Sequence, residues 1–199
     1  CKSVSLDPGI RTFQTFYSPD GVAGKLGKKI FKKHLFKYAK RIDILNGVKS
    51  KCKKKKTKMN ISKRQFLLRT KIKNVVNDYH WKIAHFLCNN FETIIIPDFK
   101  VKKMTLKRKR NINSKITRSM LTLSHYSFKK KLEHKCKIYK RRLIVTSEAF
   151  TSKTCGVCGN VNKNLGSKKI LKCQKCNIEI DRDYNGARNI LLRVCSHIK

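Results

Sequence analysis

Apolar residues recur with three periods along this chain, and each period predicts a different kind of element. Residues 3–7 and 10–17 read as extended runs, with Pro8-Gly9 and Ser18-Pro19-Asp20-Gly21 as turns between and after them, so a β-hairpin or short meander opens the fold. Phe31, Leu35, Tyr38, Ile42 and Leu45 then step by four and three, the spacing of one helix face. Leu68, Ile72, Val75, Tyr79, Ile83 and Phe86 repeat those steps, and the lysine-rich run 51–58 between the two series reads as the solvated tip of an antiparallel helical pair. Residues 93–97, Thr-Ile-Ile-Ile-Pro, are apolar and β-branched, as expected of a strand buried on both faces of a parallel sheet. After a basic loop at 100–110, Leu121, Phe128, Leu132, Cys136 and Tyr139 mark a third helix, and 143–147 another short buried strand. Ala187, Ile190, Leu191 and Val194 give a C-terminal helix one apolar face.

Strands alternating with helices imply an α/β fold whose mixed sheet has an antiparallel edge, and an RNase H-like arrangement matches this order. The expected layout is a core at 1–150 with a long helical insertion at about 28–91, a cysteine-bearing module at 151–180, and a final helix at 181–199 that completes the core. With 40% hydrophobic residues in 199, the chain can bury a real core. Its longest strongly apolar run, Ile94-Ile95-Ile96, is far short of the roughly 18–20 residues that cross a bilayer, so no membrane partner is expected. The first residues, Cys1 to Leu6, lack an initiator Met and read as the middle of a strand; the expectation is a fragment or a misplaced start, not a secreted chain.

Charge narrows the function. Fifty Lys and Arg against eleven Asp and Glu give a formal +39, self-repulsive unless polyanions neutralise it. DNA or RNA is the natural partner, because each neutralised phosphate releases condensed counterions; a ribosomal-type protein or a membrane-surface binder are the alternatives. The segments 100–110 and 118–131 interleave cations with His125, Tyr126 and Phe128, a mixture suited to a nucleic-acid duplex or unpaired strand, although Phe128 fits a core position equally well.

Nine cysteines divide in two. Cys155-Gly156-Val157-Cys158 and Cys173-Gln174-Lys175-Cys176 form two Cys-x2-Cys pairs separated by fourteen residues, and two such tight turns complete a tetrahedron around one zinc ion. Four thiolates leave no open position, so this zinc is structural, and an intracellular, reducing compartment (nucleus, or viral or host cytoplasm) is expected. Cys1, Cys52, Cys88, Cys136 and Cys195 show no pattern and are expected as small buried or surface residues.

In so acid-poor a chain, acids at strand ends are candidate metal ligands. Asp7 ends the first strand, Glu148 follows the strand at 143–147, and Asp183 precedes the final helix. Each alone has a plain structural explanation: a turn, a surface acid and a helix N-cap. Together at the carboxyl ends of parallel strands they would converge on one crevice, where hard divalent cations, two at about 3.5–4 Å, activate water and stabilise a leaving 3′-oxygen in phosphodiester cleavage.

Four blocks in order, Ser5-Leu6-Asp7-Pro8-Gly9, Ile94-Ile95-Ile96-Pro97-Asp98-Phe99, Thr151-Ser152-Lys153-Thr154-Cys155-Gly156-Val157-Cys158-Gly159 and the segment 181–191, resemble the catalytic half of transposon-encoded TnpB proteins and, more closely, their eukaryotic and viral relatives, the Fanzors. The resemblance spans about residues 3–193. It implies a RuvC-type nuclease with an inserted zinc ribbon that binds target nucleic acid, guided by RNA and cutting DNA with Mg2+. Asp7 and Asp183 match the first and last RuvC aspartates; Gly186 stands where the resembling block carries alanine. Bacterial members carry Glu-Asp-Leu where this chain has Pro97-Asp98-Phe99, whereas Fanzor-like proteins offer a glutamate just before the Thr-Ser block, here Glu148. The expected ligands of two Mg2+ are therefore Asp7, Glu148 and Asp183, with Asp98 as the fallback. Asp181 has a supporting role at Arg182 or the helix start, and Arg182 and Arg188 would position the scissile phosphate. The rival expectation is a truncated, catalytically inactive zinc-ribbon remnant that only binds nucleic acid.

Overall fold

The opening hairpin gains a third strand: β1 (Ser3–Pro8), β2 (Thr12–Tyr17) and β3 (Ala23–Lys28) form an antiparallel meander. β3, Ala-Gly-Lys-Leu-Gly-Lys, lacks the β-branched and aromatic residues that announce a strand. Its glycines are there for packing: a Cβ on Gly24 would lie 2.5 Å from the Phe16 ring, and one on Gly27 2.4 Å from Ile30. The computed structural model, which describes residues 2–106, 112–147, 153–162, 166 and 169–197, continues the sheet in parallel through β4 (Thr93–Pro97) and β5 (Arg142–Thr146), giving the order β3-β2-β1-β4-β5. The expected α/β class with a mixed sheet is borne out.

Between β3 and β4 stand a π-turn (Phe31–Leu35), α1 (Phe36–Lys51) and α2 (Lys55–Asn90), with 52–54 as the tip of the pair. Periodicity located α2 but misplaced part of its buried edge. Polar Gln65 and His80 sit in the buried stripe, bonded to Asn46 Oδ1 (2.7 Å) and the Leu123 carbonyl (3.0 Å), while Phe86 is partly exposed at its edge. After a short helix, α3 (Val101–Thr105), the single third helix expected from Leu121 to Tyr139 is two: α4 (Ser114–Leu123) and α5 (His125–Ile138). They break at Ser124, which adopts a left-handed conformation (φ 48°) without the glycine that usually marks one, and Leu121 is exposed. β5 is a half-exposed edge strand, not the buried one expected.

Side chains alternate across the sheet. Val4, Leu6, Ile94 and Ile96 pack with Leu87 of α2 and Leu132 of α5, whereas Ile95 and Ile144 pack on Ile190, Leu191 and Val194 of the last helix, α6 (Arg182–His197). The isoleucine run is thus buried on both faces, as its composition predicts. Cys88 and Cys136, without pattern in the sequence, meet in the core with sulfurs 3.8 Å apart, beyond disulfide bonding.

His125 is not a surface aromatic. It is buried, as is Phe128, and its ring and that of His80 both stack with Phe13, at centroid distances of 4.8 and 5.1 Å. Burial first, and then the charge of Lys131, lower His80 to about 4, against the hydrogen bond to Leu123. Burial and then His80 lower His125 to about 3; the Gly9 backbone lies near enough to oppose that shift, but neither ring nitrogen has a partner in hydrogen-bonding geometry among the described residues. Both rings are therefore neutral in the folded protein, and the unfolded chain, titrating near 6.5, binds protons first as pH falls. Stability should be constant above about pH 6.5 and fall by a few kcal/mol toward pH 4. Urea melts at stepped pH check this, and His125→Phe should remove about half of the loss, the rest belonging to His80.

Candidate functional site

Small side chains bring α6 close to β1. Ser5, fully buried, donates its hydroxyl to the Ala187 carbonyl (2.7 Å), a contact possible only because Gly186 and Ala187 leave the helix backbone bare. One residue pair along, a Cβ on Gly186 would stand 2.7 Å from Asp7 Oδ2. The Asp7 carboxylate thus lies directly against α6. Asp183 is three residues before Gly186, one turn earlier on the same helix face.

Asp183 is not the helix cap. Asp181 does that work: its Oδ1 accepts from the backbone N–H groups of Asp183 (2.9 Å) and Tyr184 (3.4 Å), and its Oδ2 accepts from Lys25 Nζ (2.6 Å), which also lies 4.8 Å from the Tyr184 ring centre. Partial burial alone would raise the Asp181 carboxyl; the Lys25 ammonium and the two N–H donors outweigh it and hold it below the usual range. Asp181 thus caps the helix start and holds Lys25 there. Four other acids are paired with cations: Asp43 with Arg118, Asp78 with Lys82, Glu133 with Lys130 and Glu179 with Lys172. Asp183 has no ion pair among the described residues.

Asp183 lines a cleft of about 360 Å³ walled by Arg11, Lys25, Lys28, Lys29, Lys32 and Lys169, with Asp181 the second acid. Six cations around two carboxylates favour a polyanionic ligand in this cleft. Sequence reasoning missed this wall, because half of it stands on or beside β3, whose existence was not foreseen.

The carboxyl ends of β1, β4 and β5 lie side by side, with Ser5 level with Ile95 and Pro97 level with Thr146. Asp98 turns to the α5 side of the sheet, where it pairs with Lys100 (3.1 Å) and Lys129 (3.8 Å), away from α6. Glu148, two positions beyond Thr146 in sequence, lies outside the described residues, as do Thr151 and Ser152. Arg182 donates to the Gly166 carbonyl (2.7 Å), and Arg188 packs with its Cδ 3.4 Å from where a Gly156 Cβ would be; both touch the cysteine-bearing segment.

That segment carries a two-stranded sheet, β6 (Ile170–Lys172) and β7 (Glu179–Asp181), and four sulfurs all within 4.8 Å of one another. Cys155 and Cys176 are 3.7 Å apart and Cys158 and Cys173 3.4 Å, close to the edge of about 3.8 Å in a tetrahedron with 2.3 Å bonds. The backbone N–H groups of Cys176 and Lys175 face the Cys173 sulfur and, against desolvation, lower that thiol to about 6. An all-sulfur donor set of this shape suits zinc.

The first cysteine turn is fastened to α6. Asn185, fully buried, accepts the Gly156 N–H at Oδ1 (2.9 Å) and donates from Nδ2 to the Thr154 carbonyl (2.7 Å), which also accepts from Asn189 (2.7 Å). Both asparagines were visible in the 181–191 block at helical spacing, but nothing local named their partner.

Against this geometry, the family model OrfB_IS605, "Probable transposase", matches residues 1–108, and "Cas12f1-like, TNB domain" matches residues 125–190. TnpB-like protein L79 of Acanthamoeba polyphaga mimivirus is 35% identical over 95% of this chain and 36% of its own length. The CRISPR-associated endodeoxyribonuclease Cas12f1 of Sulfoacidibacillus thermotolerans is 29% identical over 56% of this chain and 28% of its own. The chain spans less than half the length of these curated relatives. A solved Cas12f1–sgRNA–target DNA complex shares the fold, with a TM-score of 0.66 and 21% identity over 95% of this chain and 49% of that one. Among the described residues, no helix is long and apolar enough to cross a membrane.

Proposed function

Since this chain belongs to the TnpB (OrfB_IS605) family of transposon-encoded proteins, we propose that it is the catalytic portion of an RNA-guided, Mg2+-dependent DNA endonuclease, with DNA as target and RNA as guide. The observation that carries the reading is the junction of β1 and α6: the Asp7 carboxylate pressed against Gly186, and, three residues earlier on the helix, Asp183, which has no ion pair among the described residues and lines a cationic cleft. The strand order and the helix crossing β1 support an RNase H-like, RuvC-type core. We read 1–150 as that core with its helical insertion, 151–180 as the ribbon, and 181–199 as the completing helix.

In this reading Asp7, Glu148 and Asp183 hold two Mg2+, which when bound supply an activated water and charge stabilisation for the leaving 3′-oxygen. Hard carboxylate oxygens fit that ion, and the Asp7–Gly186 contact fixes one of them. Lys25 does double duty, holding Asp181 and walling the cleft in which phosphates would lie. Cys155, Cys158, Cys173 and Cys176 hold structural zinc.

The test is cleavage of DNA by the chain with guide RNA and titrated Mg2+. Cutting should require the divalent ion, disappear in Glu148→Ala and survive in Asp98→Ala, since Asp98 is ion-paired on the other face. Loss in Asp98→Ala alone reverses that choice. Salt-sensitive binding with no cutting under any divalent ion leaves the rival, a zinc-ribbon remnant that binds and does not cleave.

A further inference from the structure

Besides the residues that meet β1, α6 carries two buried asparagines whose side chains reach the cysteine ribbon. Asn185 and Asn189 stand four apart, on one helix face. Between them they bind the two backbone groups that flank Cys155: the Thr154 carbonyl, which receives both amides, and the Gly156 N–H, which donates to Asn185. The fit is tight, for a Cβ on Gly156 would fall 2.9 Å from Asn189 Oδ1 and 3.0 Å from Asn185 Oδ1. Across the same helical turn, Gly186 abuts the Asp7 carboxylate and Ala187 accepts from Ser5. A segment of seven residues from Asp183 to Asn189 is therefore held on one side by the first strand and on the other by the turn that presents a metal-ligating sulfur.

We propose that Asn185 and Asn189 are positioning residues that couple the cysteine-bound metal to the carboxylate site, so that loading the ribbon fixes the register of α6 against β1 and with it the placement of Asp183 relative to Asp7. The coupling runs through rigid parts: a cysteine turn ordered by its metal, two amide side chains without slack, and a helix seated on a strand through small residues. It is reciprocal by linkage, so a divalent ion at the carboxylates also tightens the ribbon. The inference rests on the carboxylate reading above for its second half only.

The test uses the full chain, loaded or stripped at the ribbon with a zinc-selective chelator. Hydrogen exchange over 183–190 reads the helix directly. Stripping should speed exchange there while α2 stays protected; in Asn185→Ala/Asn189→Ala, exchange should already be fast and insensitive to stripping, with the four cysteines still binding one zinc. Mn2+ affinity, followed by proton relaxation, should fall at least about fivefold on stripping the wild type, a modest allosteric coupling, and change little in the double variant. Gly156→Ala, which keeps both asparagines and all four ligands, should reproduce the uncoupled behaviour. Exchange at 183–190 that ignores ribbon stripping in the wild type, or coupling that persists in both variants, overturns the proposal. If the wild type binds no Mn2+ yet its helix still answers stripping, the ribbon-to-helix half stands, and the carboxylate half falls with the nuclease reading.

Discussion

Asparagine in place of Asp7 or Asp183 should leave a folded protein that binds nucleic acid at least as tightly as before but cuts it more than about a hundredfold more slowly, beyond the 10–100-fold typical of losing an outer-shell partner of a metal. The two effects have opposite signs for one reason. Each substitution removes a negative charge from a chain already at +39, which favours phosphate contacts, while taking away a ligand the proposed magnesium ions require. Gly186→Ala sharpens the test. Alanine is the better helix former by roughly 0.5–1 kcal/mol, so melting should be unchanged or slightly higher. Its methyl carbon, however, would sit 2.7 Å from Asp7 Oδ2, too close for the carboxylate to keep its place. Cutting should fall although the fold gains. The resembling family block carries alanine at this place, which makes the outcome discriminating: a G186A chain that cuts at the wild-type rate shows that Asp7 does not act from the position it holds here. Cleavage rates beside thermal melts of the same preparations decide it.

What the sequence discloses and what it hides follow from the range of the forces involved. The Ile94-Ile95-Ile96 strand and the apolar face of α6 are legible because burial imposes a period on neighbouring residues. The cysteine pairs are legible because a tetrahedral ion demands their spacing. Asp7 stood out as a strand-end acid, but its placement against Gly186 depends on a helix at the opposite end of the chain. β3 escaped notice because cross-strand pairing with β2 and room for Phe16 and Ile30 select its residues, not local propensity. The break at Ser124 and the burial of His125 are likewise tertiary: the ring is drawn under the surface by stacking on Phe13 from a distant strand. Asn185 and Asn189 show the limit most plainly. Their spacing marks a shared face, yet the Thr154 carbonyl that uses it lies 31 and 35 positions away.

Substituting Cys155→Ser should cost the ribbon its metal and its fold while the main sheet survives. The ribbon's own core is small: Cys155, Leu171 and Cys173 are buried, with Cys158, Cys176, Ile178 and Ile180 packed around them, so most of the cluster consists of the ligands themselves. Its sheet is two strands of three residues, and an isolated two-stranded hairpin is marginal in water. Order in this segment must come from elsewhere, and apparent zinc affinities of roughly 10–16 kcal/mol for four-ligand sites are far larger than anything Leu171 and two isoleucines contribute. A hydroxyl cannot replace a thiolate donor to zinc at neutral pH, so bound zinc should drop well below one per chain. The segments 153–162 and 169–181 should then become protease-sensitive. The core around Leu6, Ile94 and Leu132 shares no side chain with the ribbon cluster, so strands β1, β2 and β4 should keep their protection and melting should retain its main transition. Metal analysis and mass-resolved proteolysis of the same sample read both halves of the prediction. A C155S chain that retains one zinc with an intact ribbon would remove the four-cysteine assignment, and collapse of the main sheet along with the ribbon would show that the two parts fold as one unit and not as a core with a metal-dependent attachment.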